Sequence, residues 1–360
     1  TEIREELDEV KFDTTKVIPK ENVIVMVTKE GYIKRVALRS YLSSNGEDLS
    51  LKEKDYILGL YNITTVDVLL IFTNFGNYLY LPVYDIPEAK WKELGKHISN
   101  VISLDAEEKL IGVIPVDDFS EEKFITSFSK DGMVKRSKLA DFKVQRYSKS
   151  MKMMNLKDED EVIDVTDSDD TNVLIVTKNG YALWYDVNEI PIVGIKAAGV
   201  KAINLKDDQV VSGIIFNSNE EFITIIMDKG TAKRMHLIGL EKTTRAKRGS
   251  LLMKTIKSNP SKIIKSYVTD SKKLIGIVSE NYSKIIKINE IAIMDKASNG
   301  SYIIKDKIID SFLVANLADK SNKEDSNKER LLNTNSNISL KEIDDKLFDI
   351  DNIIGEISNE

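Results

Sequence analysis

The stretch Val-Ile-Val-Met-Val-Thr-Lys-Glu-Gly-Tyr-Ile-Lys-Arg-Val-Ala-Leu, at Val23–Leu38, decides the fold of this 360-residue chain. It begins with a run of β-branched and apolar residues, reverses at Gly31, and continues as a second, alternating run. A strand that is apolar on both faces is typical of burial between two layers, and a glycine supplies the positive φ that a tight reversal requires. The stretch therefore predicts a β-hairpin whose first strand is buried on both sides.

The same sequence pattern, an apolar run, a turn and an alternating run, occurs five more times along the chain. The further copies are Val68–Val83, Phe124–Leu139, Val173–Val187, Phe222–Leu237 and Leu274–Ile288. Turn glycines stand in the first five copies, at Gly31, Gly76, Gly132, Gly180 and Gly230. The sixth copy has no glycine, and we expect Asn281 to adopt the positive φ there, because asparagine also tolerates it.

A second phrase, Asn155–Val165, lies between hairpins and returns in looser form elsewhere, as a short strand, an acidic turn and another strand. Four strands in each repeat of about 50 residues, six times over, predict an all-β, six-bladed, propeller-like ring. The segment Ile86–Leu94 is the one place where we expect a short helical turn.

The repeats divide the chain into one large domain and a tail. The domain is predicted to cover residues 1–312, with blades at about 1–45, 46–94, 95–147, 148–198, 199–249 and 250–311. Residues 313–360 are predicted to form an acidic, largely disordered tail, because few apolar side chains are available for burial there. Since the chain begins with Thr1 rather than methionine, we expect it to be a piece of a larger protein.

Composition excludes several classes of function. The chain has no cysteine and two histidines, His97 and His236, so disulfides, thiolate metal sites and cysteine nucleophiles are excluded. No apolar run approaches the length of a membrane helix, and we expect a cytoplasmic protein without a membrane partner. The net charge is -6, of which Asp319–Glu360 contributes -5. Binding to nucleic acid would therefore need the basic residues of the domain to be gathered on one surface.

Basic residues do recur at matched places in the repeats. The candidate DNA-binding residues are Lys34, Arg35 and Arg39; Lys135, Arg136 and Lys138; Arg146, Lys149 and Lys152; and Lys233, Arg234, Arg245, Lys247 and Arg248. Phosphates are bound by lysine and arginine on a continuous edge. Solvated strand ends are the plain alternative, but the recurrence of Lys-Arg after the turn in three blades favours contact with DNA at the rim.

Blades 2 and 4 differ from blades 1, 3 and 5. They carry Leu79-Tyr80-Leu81 and Leu183-Trp184-Tyr185 where the other blades have Lys-Arg. Two explanations remain open from the sequence. The aromatic residues add packing between blades, or DNA contacts alternate blades more strongly than the others.

These strings resemble the C-terminal domain of the A subunits of bacterial type IIA topoisomerases, from Thr1 to about Phe312. The resemblance rests on Gly31–Tyr41, Gly76–Val83, Trp91–Asn100, Gln145–Lys149, Asn179–Trp184, Ala197–Lys206 and Thr244–Gly249. Together they are most similar to the topoisomerase IV branch of Gram-positive bacteria. The gyrase branch has a Gln-Arg-Arg-Gly-Gly-Lys-Gly box after its first hairpin, and the corresponding Ser44–Lys54 lacks it.

The resemblance implies a β-pinwheel, a ring or spiral in which a strand passes to the neighbouring blade, and duplex DNA bent along its outer edge. It also implies that the cleavage tyrosine and the Mg²⁺ site lie in the rest of the A subunit, whereas ATP binds the partner B subunit. This fragment would then hold no cofactor, no metal and no catalytic residue. The parent enzyme would pair two A with two B subunits on the nucleoid, for decatenation and supercoil relaxation.

Three other functions are weighed against this one. A gyrase wrapping domain is disfavoured by the missing box. A propeller-like scaffold for protein interaction would use loops without a basic edge, which the cluster Arg245–Arg248 contradicts. A propeller enzyme would need convergent carboxylates or histidines, and the repeats offer no such set.

Overall fold

The computed structural model describes residues 18–44, 46, 49–157, 159–254 and 260–317. The chain divides into two units, Thr1–Ala315 and Asn316–Glu360. The fold below belongs to the first unit. Most of the predicted tail, from residue 318 onward, lies outside the described residues.

Nearly all regular structure in the first unit is β-strand. The first twelve strands are β1 (Asn22–Thr28), β2 (Tyr32–Ala37), β3 (Ile57–Thr64), β4 (Val68–Thr73), β5 (Asn77–Pro82), β6 (Lys96–His97), β7 (Leu110–Val116), β8 (Phe124–Ser129), β9 (Met133–Lys138), β10 (Met151–Lys152), β11 (Val162–Thr166) and β12 (Asn172–Thr177). The remaining strands are β13 (Tyr181–Asp186), β14 (Val200–Lys201), β15 (Val210–Phe216), β16 (Phe222–Met227), β17 (Thr231–His236), β18 (Ser250–Leu251), β19 (Ile263–Tyr267), β20 (Leu274–Ser279), β21 (Ser283–Lys287), β22 (Ser301–Tyr302) and β23 (Ile308–Leu313).

Helix is confined, among the described residues, to α1 (Leu38–Ser43) and short 3₁₀ turns. The helix expected at Ile86–Leu94 is wrong: the 3₁₀ turn lies just before it, at Val83–Asp85, Ile86 is already extended, and a single turn closed by Glu93 N and Lys90 O follows. Corresponding turns follow the later hairpins, at Leu139–Phe142, Val187–Glu189, Leu237–Gly239 and Ile288–Glu290. No helix in the described part of the chain is long and apolar enough to cross a membrane.

The strands form six antiparallel sheets, one for each hairpin, and this arrangement confirms the predicted six-bladed all-β ring. The sheet orders are β3-β1-β2-β6, β7-β4-β5-β10, β11-β8-β9-β14, β15-β12-β13-β18, β19-β16-β17-β22 and β23-β20-β21. The strands β3, β7, β11, β15, β19 and β23 follow one another around the centre. Residues from all six of them line a central cavity of about 720 Å³.

The fourth strand of each of the first five blades comes from the chain that follows the next hairpin. Strand β6, for example, follows hairpin β4–β5 of blade 2 but pairs with β2 of blade 1. Strands β10, β14, β18 and β22 repeat this exchange. The exchange is the β-pinwheel arrangement that the resemblance implied. Blade 6 has three strands within the described residues.

Apolar side chains fill the spaces between successive blades. Strand β4 is buried at every position, as expected for a strand covered on both faces. Its odd and even residues divide accordingly: Leu69 and Ile71 pack with Val25 of blade 1, whereas Leu70 and Phe72 pack with Ile125 of blade 3. Because side chains alternate across a strand, one buried strand can stabilise two interfaces.

The hairpin turns have the predicted backbone conformation in five blades. Gly31 has a φ of +90° and Gly180 a φ of +94°. The expectation for Asn281 is wrong, because Asn281 is not among the residues with positive φ. The sixth turn is one residue shorter: Val278 pairs with Ser283, whereas Val27 pairs with Ile33 in blade 1.

Candidate nucleic-acid interface

The three lysines predicted to lie at the rim, Lys34, Lys135 and Lys233, are fully buried. Each lies on the outer hairpin strand of an odd-numbered blade, and its side chain is covered by the chain that comes from the next blade. This overturns their interpretation as rim residues. A side chain with no exposed surface does not reach a phosphate on the outside of the ring.

The covering segment is called here a strap. Strap 1 (residues 87–97) crosses blade 1, strap 3 (residues 191–201) crosses blade 3, and strap 5 (residues 292–302) crosses blade 5. Each strap first pairs with the residue after the buried lysine, as in the parallel bridge between Arg35 and Glu88. It then bulges away from the sheet and returns as the outermost strand, where Lys96 pairs with Ile33.

Backbone carbonyl groups surround each buried ammonium. The Lys34 Nζ donates to the carbonyls of Trp91 and Glu93, both in the bulge of strap 1. The Lys135 Nζ donates to Gly194 O at 3.0 Å and to Ile195 O in strap 3. A lysine ammonium has three donors and no acceptor, so carbonyl groups satisfy it well.

Lys233 has the most carbonyl partners of the three. Its Nζ lies 2.7 Å from Ser298 O, 2.9 Å from Asp295 O and 3.2 Å from Lys296 O, all in strap 5. It also donates to Leu252 O at 2.7 Å, in the segment that follows β18. The ammonium therefore joins two chain segments that arrive from different hairpins.

Burial also changes the acidity of these groups. Desolvation lowers the pKa of Lys34, Lys135 and Lys233 to about 8, because a charged group is disfavoured away from water. The negative charges of Glu93, Asp141 and Asp295 oppose this shift. All three lysines remain mainly protonated at pH 7.

The arginines that follow the lysines are also structural. Arg35 Nη1 donates to Tyr84 O at 3.1 Å, and Arg234 Nε donates to Ile291 O at 2.8 Å. Tyr84 lies in the 3₁₀ turn of blade 2, and Ile291 directly follows the 3₁₀ turn of blade 6. Arg136 is 9 % exposed and lies over the Phe124 ring at 4.4 Å. The predicted rim positions Arg136 and Arg234 are therefore buried, and Arg35 is half-buried.

Only part of the cluster Arg245–Arg248 is exposed for contact with phosphates. The Arg245 Nε donates to Glu189 O at 2.9 Å. The Arg248 guanidinium lies 3.9 Å from the Tyr181 ring centroid and donates to Leu205 O. Both guanidinium groups are half-buried, whereas Lys247 is exposed. Of the three cations in this cluster, only Lys247 is exposed.

Six of the predicted residues are exposed on the described surface: Arg39, Lys138, Arg146, Lys149, Lys152 and Lys247. Lys152 is on the exchanged strand β10, and Lys149 precedes that strand by two residues. The structure therefore leaves these six positions as candidates for phosphate contact, and contact itself stays a prediction.

Five exposed lysines on the straps were missed by the sequence analysis. They are Lys90, Lys92 and Lys96 in strap 1 and Lys196 and Lys201 in strap 3. Lys201 pairs with Met133 and Lys152 pairs with Asn77, so the two lysines occupy the same register on the outermost strands of successive blades. The sequence contains a pattern that could have predicted two of them: a lysine follows a glycine by one or two residues at the exchanged strands, in Gly95-Lys96-His97 and Gly199-Val200-Lys201.

The aromatic residues of blades 2 and 4 contribute packing. Tyr80 is 8 % exposed and lies near the rings of Phe119 and Tyr147. The Trp184 Nε1 donates to Asn172 Oδ1 at 3.0 Å, and its ring contacts Phe216. These contacts support the first of the two explanations for the alternation between blades, extra packing.

A single family model accounts for the first four blades. It matches residues 22–63, 67–117, 124–167 and 171–218, and its description is DNA gyrase C-terminal domain, beta-propeller. The chain belongs to this family. Blades 5 and 6 lie outside these matches. In this member of the gyrase C-terminal domain family, blade 5 repeats the four-stranded order, and blade 6 repeats its first three strands within the described residues.

Within the gyrase C-terminal domain family, the chain is similar to topoisomerase IV proteins. It is 39 % identical over 308 residues to the A subunit of DNA topoisomerase 4 from Bacillus subtilis, and 35 % identical over 304 residues to that from Staphylococcus epidermidis. These matches cover 85 % and 84 % of this chain. The chain spans 38 % of the length of either relative.

Solved structures point to the same branch of the family. The crystal structure of the C-terminal domain of DNA topoisomerase IV has a TM-score of 0.80 and 42 % identity, over 82 % of this chain and 94 % of that one. A gyrase A C-terminal domain has a TM-score of 0.60 and 19 % identity, over 82 % of this chain and all of that one, and shows the fold alone. The predicted resemblance to the topoisomerase IV A subunit is confirmed.

Proposed function

We propose that this chain is the non-catalytic DNA-binding domain of a topoisomerase IV A subunit, which holds duplex DNA along the outer edge of the ring. The observation that carries the proposal is the matched placement of Lys152 and Lys201, exposed on the outermost strands of blades 2 and 3. Lys96 and Lys247 extend the set of exposed cations to the edges of blades 1 and 4.

The chemistry of this edge suits the DNA backbone. Lysines on successive blades neutralise phosphates and release counterions, which supplies affinity without reading base sequence. Base reading in the major groove usually needs a helix or a β-ribbon that enters the groove. The six-residue α1 is the only α-helix among the described residues, and each hairpin is part of a sheet of three or four strands rather than a free two-stranded ribbon. Binding should therefore depend on salt and bend the DNA around the ring, with little sequence preference.

The rest of the parent enzyme would carry the reaction. We propose that this domain presents DNA to a strand-passage core formed by two B subunits and the rest of both A subunits, for decatenation and relaxation in the cytoplasm, on the nucleoid. ATP and Mg²⁺ would bind elsewhere in that enzyme. No group of three or more histidine, aspartate or glutamate side chains that could hold a metal ion occurs in the part of the chain described.

Fluorescence anisotropy with labelled duplexes of unrelated sequence tests the proposal. Similar dissociation constants for the different sequences are expected, with a log–log salt slope of about -0.9 for each phosphate neutralised. Incubation with supercoiled plasmid, ATP and Mg²⁺ should leave the plasmid uncut and unrelaxed. A slope near zero would remove the DNA-binding proposal, and relaxation by the chain alone would remove its non-catalytic part.

A further inference from the structure

We propose that Lys135, although it never touches DNA, is a positioning residue for DNA binding: its buried ammonium holds strap 3, whose exposed lysines contact the phosphates. Lys34 has the corresponding role for strap 1. The inference rests on the proposed function and names residues through which it works.

Lys135 ties the bulge of strap 3 to the blade beneath. Its Nζ donates to Gly194 O and Ile195 O in the strap, and to Met153 O in the segment that follows β10. The strap is also joined to blade 3 at its two ends, where Val193 N donates to Arg136 O and where Val200 pairs with Val134. Between these ends Asn155 N donates to Ala197 O at 3.3 Å, so removal of the ammonium would leave the bulge held by this longer hydrogen bond.

The bulge carries one exposed cation and leads directly to a second. Lys196 directly follows Ile195, whose carbonyl the ammonium holds, and Lys201 ends the exchanged strand. Both are exposed, and residues 191–201 contain no acidic side chain. Strap 3 therefore presents two positive charges and no negative ones. Fixing the bulge reduces the conformational freedom that phosphate binding would otherwise have to remove.

Strap 5 is a natural control for strap 3. Lys233 holds it through the same kind of carbonyl cage. Its charges, however, are Asp295 and Lys296, which cancel, and Tyr302 stands in the register position that Lys201 occupies in strap 3. Loss of the Lys233 ammonium should therefore loosen a strap that contributes little to phosphate binding.

The test compares Lys135→Met with Lys233→Met in the full chain. Methionine has as many side-chain heavy atoms as the aliphatic part of lysine, but it has no ammonium to donate to the carbonyls. Amide hydrogen exchange should become faster in residues 193–200 of the first variant and in residues 293–301 of the second. For DNA binding, the salt slope should fall in magnitude by about 1 to 2 in Lys135→Met, as expected for one or two lost phosphate contacts, and stay unchanged in Lys233→Met.

A double-mutant comparison completes the test. Lys196→Gln with Lys201→Gln should reduce the salt slope in the wild-type background but add little in the Lys135→Met background, because the same contacts are lost in both. An unchanged slope in Lys135→Met despite faster exchange in its strap would overturn the inference. Equal losses in Lys135→Met and Lys233→Met would also overturn it, since general destabilisation would then suffice. A wild-type slope near zero would instead contradict the proposed function itself.

Discussion

The Tyr56 ring stacks on the Phe312 ring, with 3.8 Å between centroids and 2° between planes. Tyr56 belongs to blade 1 and Phe312 to blade 6, so this pair joins the two ends of the ring. The Tyr56 hydroxyl also donates to Asp310 at 2.9 Å, and the Lys54 Nζ donates to Glu280 O at 2.6 Å. No strand exchange joins these two blades within the described residues, which leaves side-chain contacts to close the ring.

We predict that Tyr56→Ala destabilises the ring by roughly 3–5 kcal/mol, the usual cost of removing a large buried aromatic side chain. Tyr56→Phe keeps the stack and loses only the hydrogen bond to Asp310, so its cost should be about 1–3 kcal/mol. Urea unfolding curves give both values. Equal stability of the Tyr56→Ala protein and the wild type would show that the ring does not depend on this junction.

Gly249 precedes the exchanged strand β18 and has a φ of +81°. A Cβ atom built there would lie 2.1 Å from Ala182 O, so alanine would face both an unfavourable backbone conformation and a clash with the backbone. We predict a loss of roughly 2–4 kcal/mol for Gly249→Ala, from strain and overpacking together.

Gly239→Ala is the matched control, because a Cβ atom at Gly239 would have nothing within 4 Å. Its melting temperature should stay close to that of the wild type. If both variants melted at the wild-type temperature, the close approach of Gly249 to blade 4 would not matter for stability.

The buried lysines should make stability depend on pH. Their pKa is about 8 in the folded protein and 10.5 in the unfolded chain. Below about pH 8 the lysines are protonated in both states, and their contribution to the free energy of unfolding is constant. Between about pH 8 and pH 10 the unfolded chain binds more protons than the folded protein, so stability should rise with pH, by at most about 1.4 kcal/mol per pH unit for each lysine.

Buried tyrosines act in the opposite direction, but at higher pH. Burial raises the pKa of Tyr78 to about 12, so its ionisation in the unfolded chain lowers stability only from about pH 10. Urea unfolding between pH 7 and pH 9.5 therefore reports mainly the lysines, including Lys29, whose pKa burial also lowers. The Lys233→Met variant should show a smaller rise than the wild type, and a wild-type curve that is flat over this range would contradict the lowered pKa values.

Neutralising the outer strands should weaken DNA binding without unfolding the protein. We predict that Lys152→Gln with Lys201→Gln raises the dissociation constant and lowers the magnitude of the salt slope by about 2, since each lysine accounts for about one phosphate. Melting temperatures should change little, because both side chains are exposed.

The control removes the same charge from another surface. Lys109 and Lys178 are exposed and line the central cavity rather than the outer strands. Lys109→Gln with Lys178→Gln should leave the salt slope near the wild-type value. Equal effects of the two double variants would mean that net charge, and not the outer edge, controls binding.

The sequence by itself determined the hairpins and their number. Gly31 and its four counterparts mark the turns, and runs such as Val68–Thr73 indicate strands buried on both faces, because local backbone preference and apolar content suffice for both predictions. It also indicated the family, because several stretches of sequence, such as Gly31–Tyr41, are similar to those of the family. The one turn without a glycine was assigned the wrong backbone conformation, because a shorter turn removed the need for a positive φ.

Only the tertiary structure decided what the Lys-Arg pairs do. Alternation along β2 places Lys34 and Arg35 on opposite sides of the strand, and the sequence offered no reason to expect both sides to be covered. The cover comes from Trp91 and Glu93, about 60 residues further along the chain, in a strap that belongs to another hairpin. A buried cation needs its carbonyl partners delivered by that distant segment. Exposure of a charged residue therefore follows from strand exchange between blades, which no local pattern encodes.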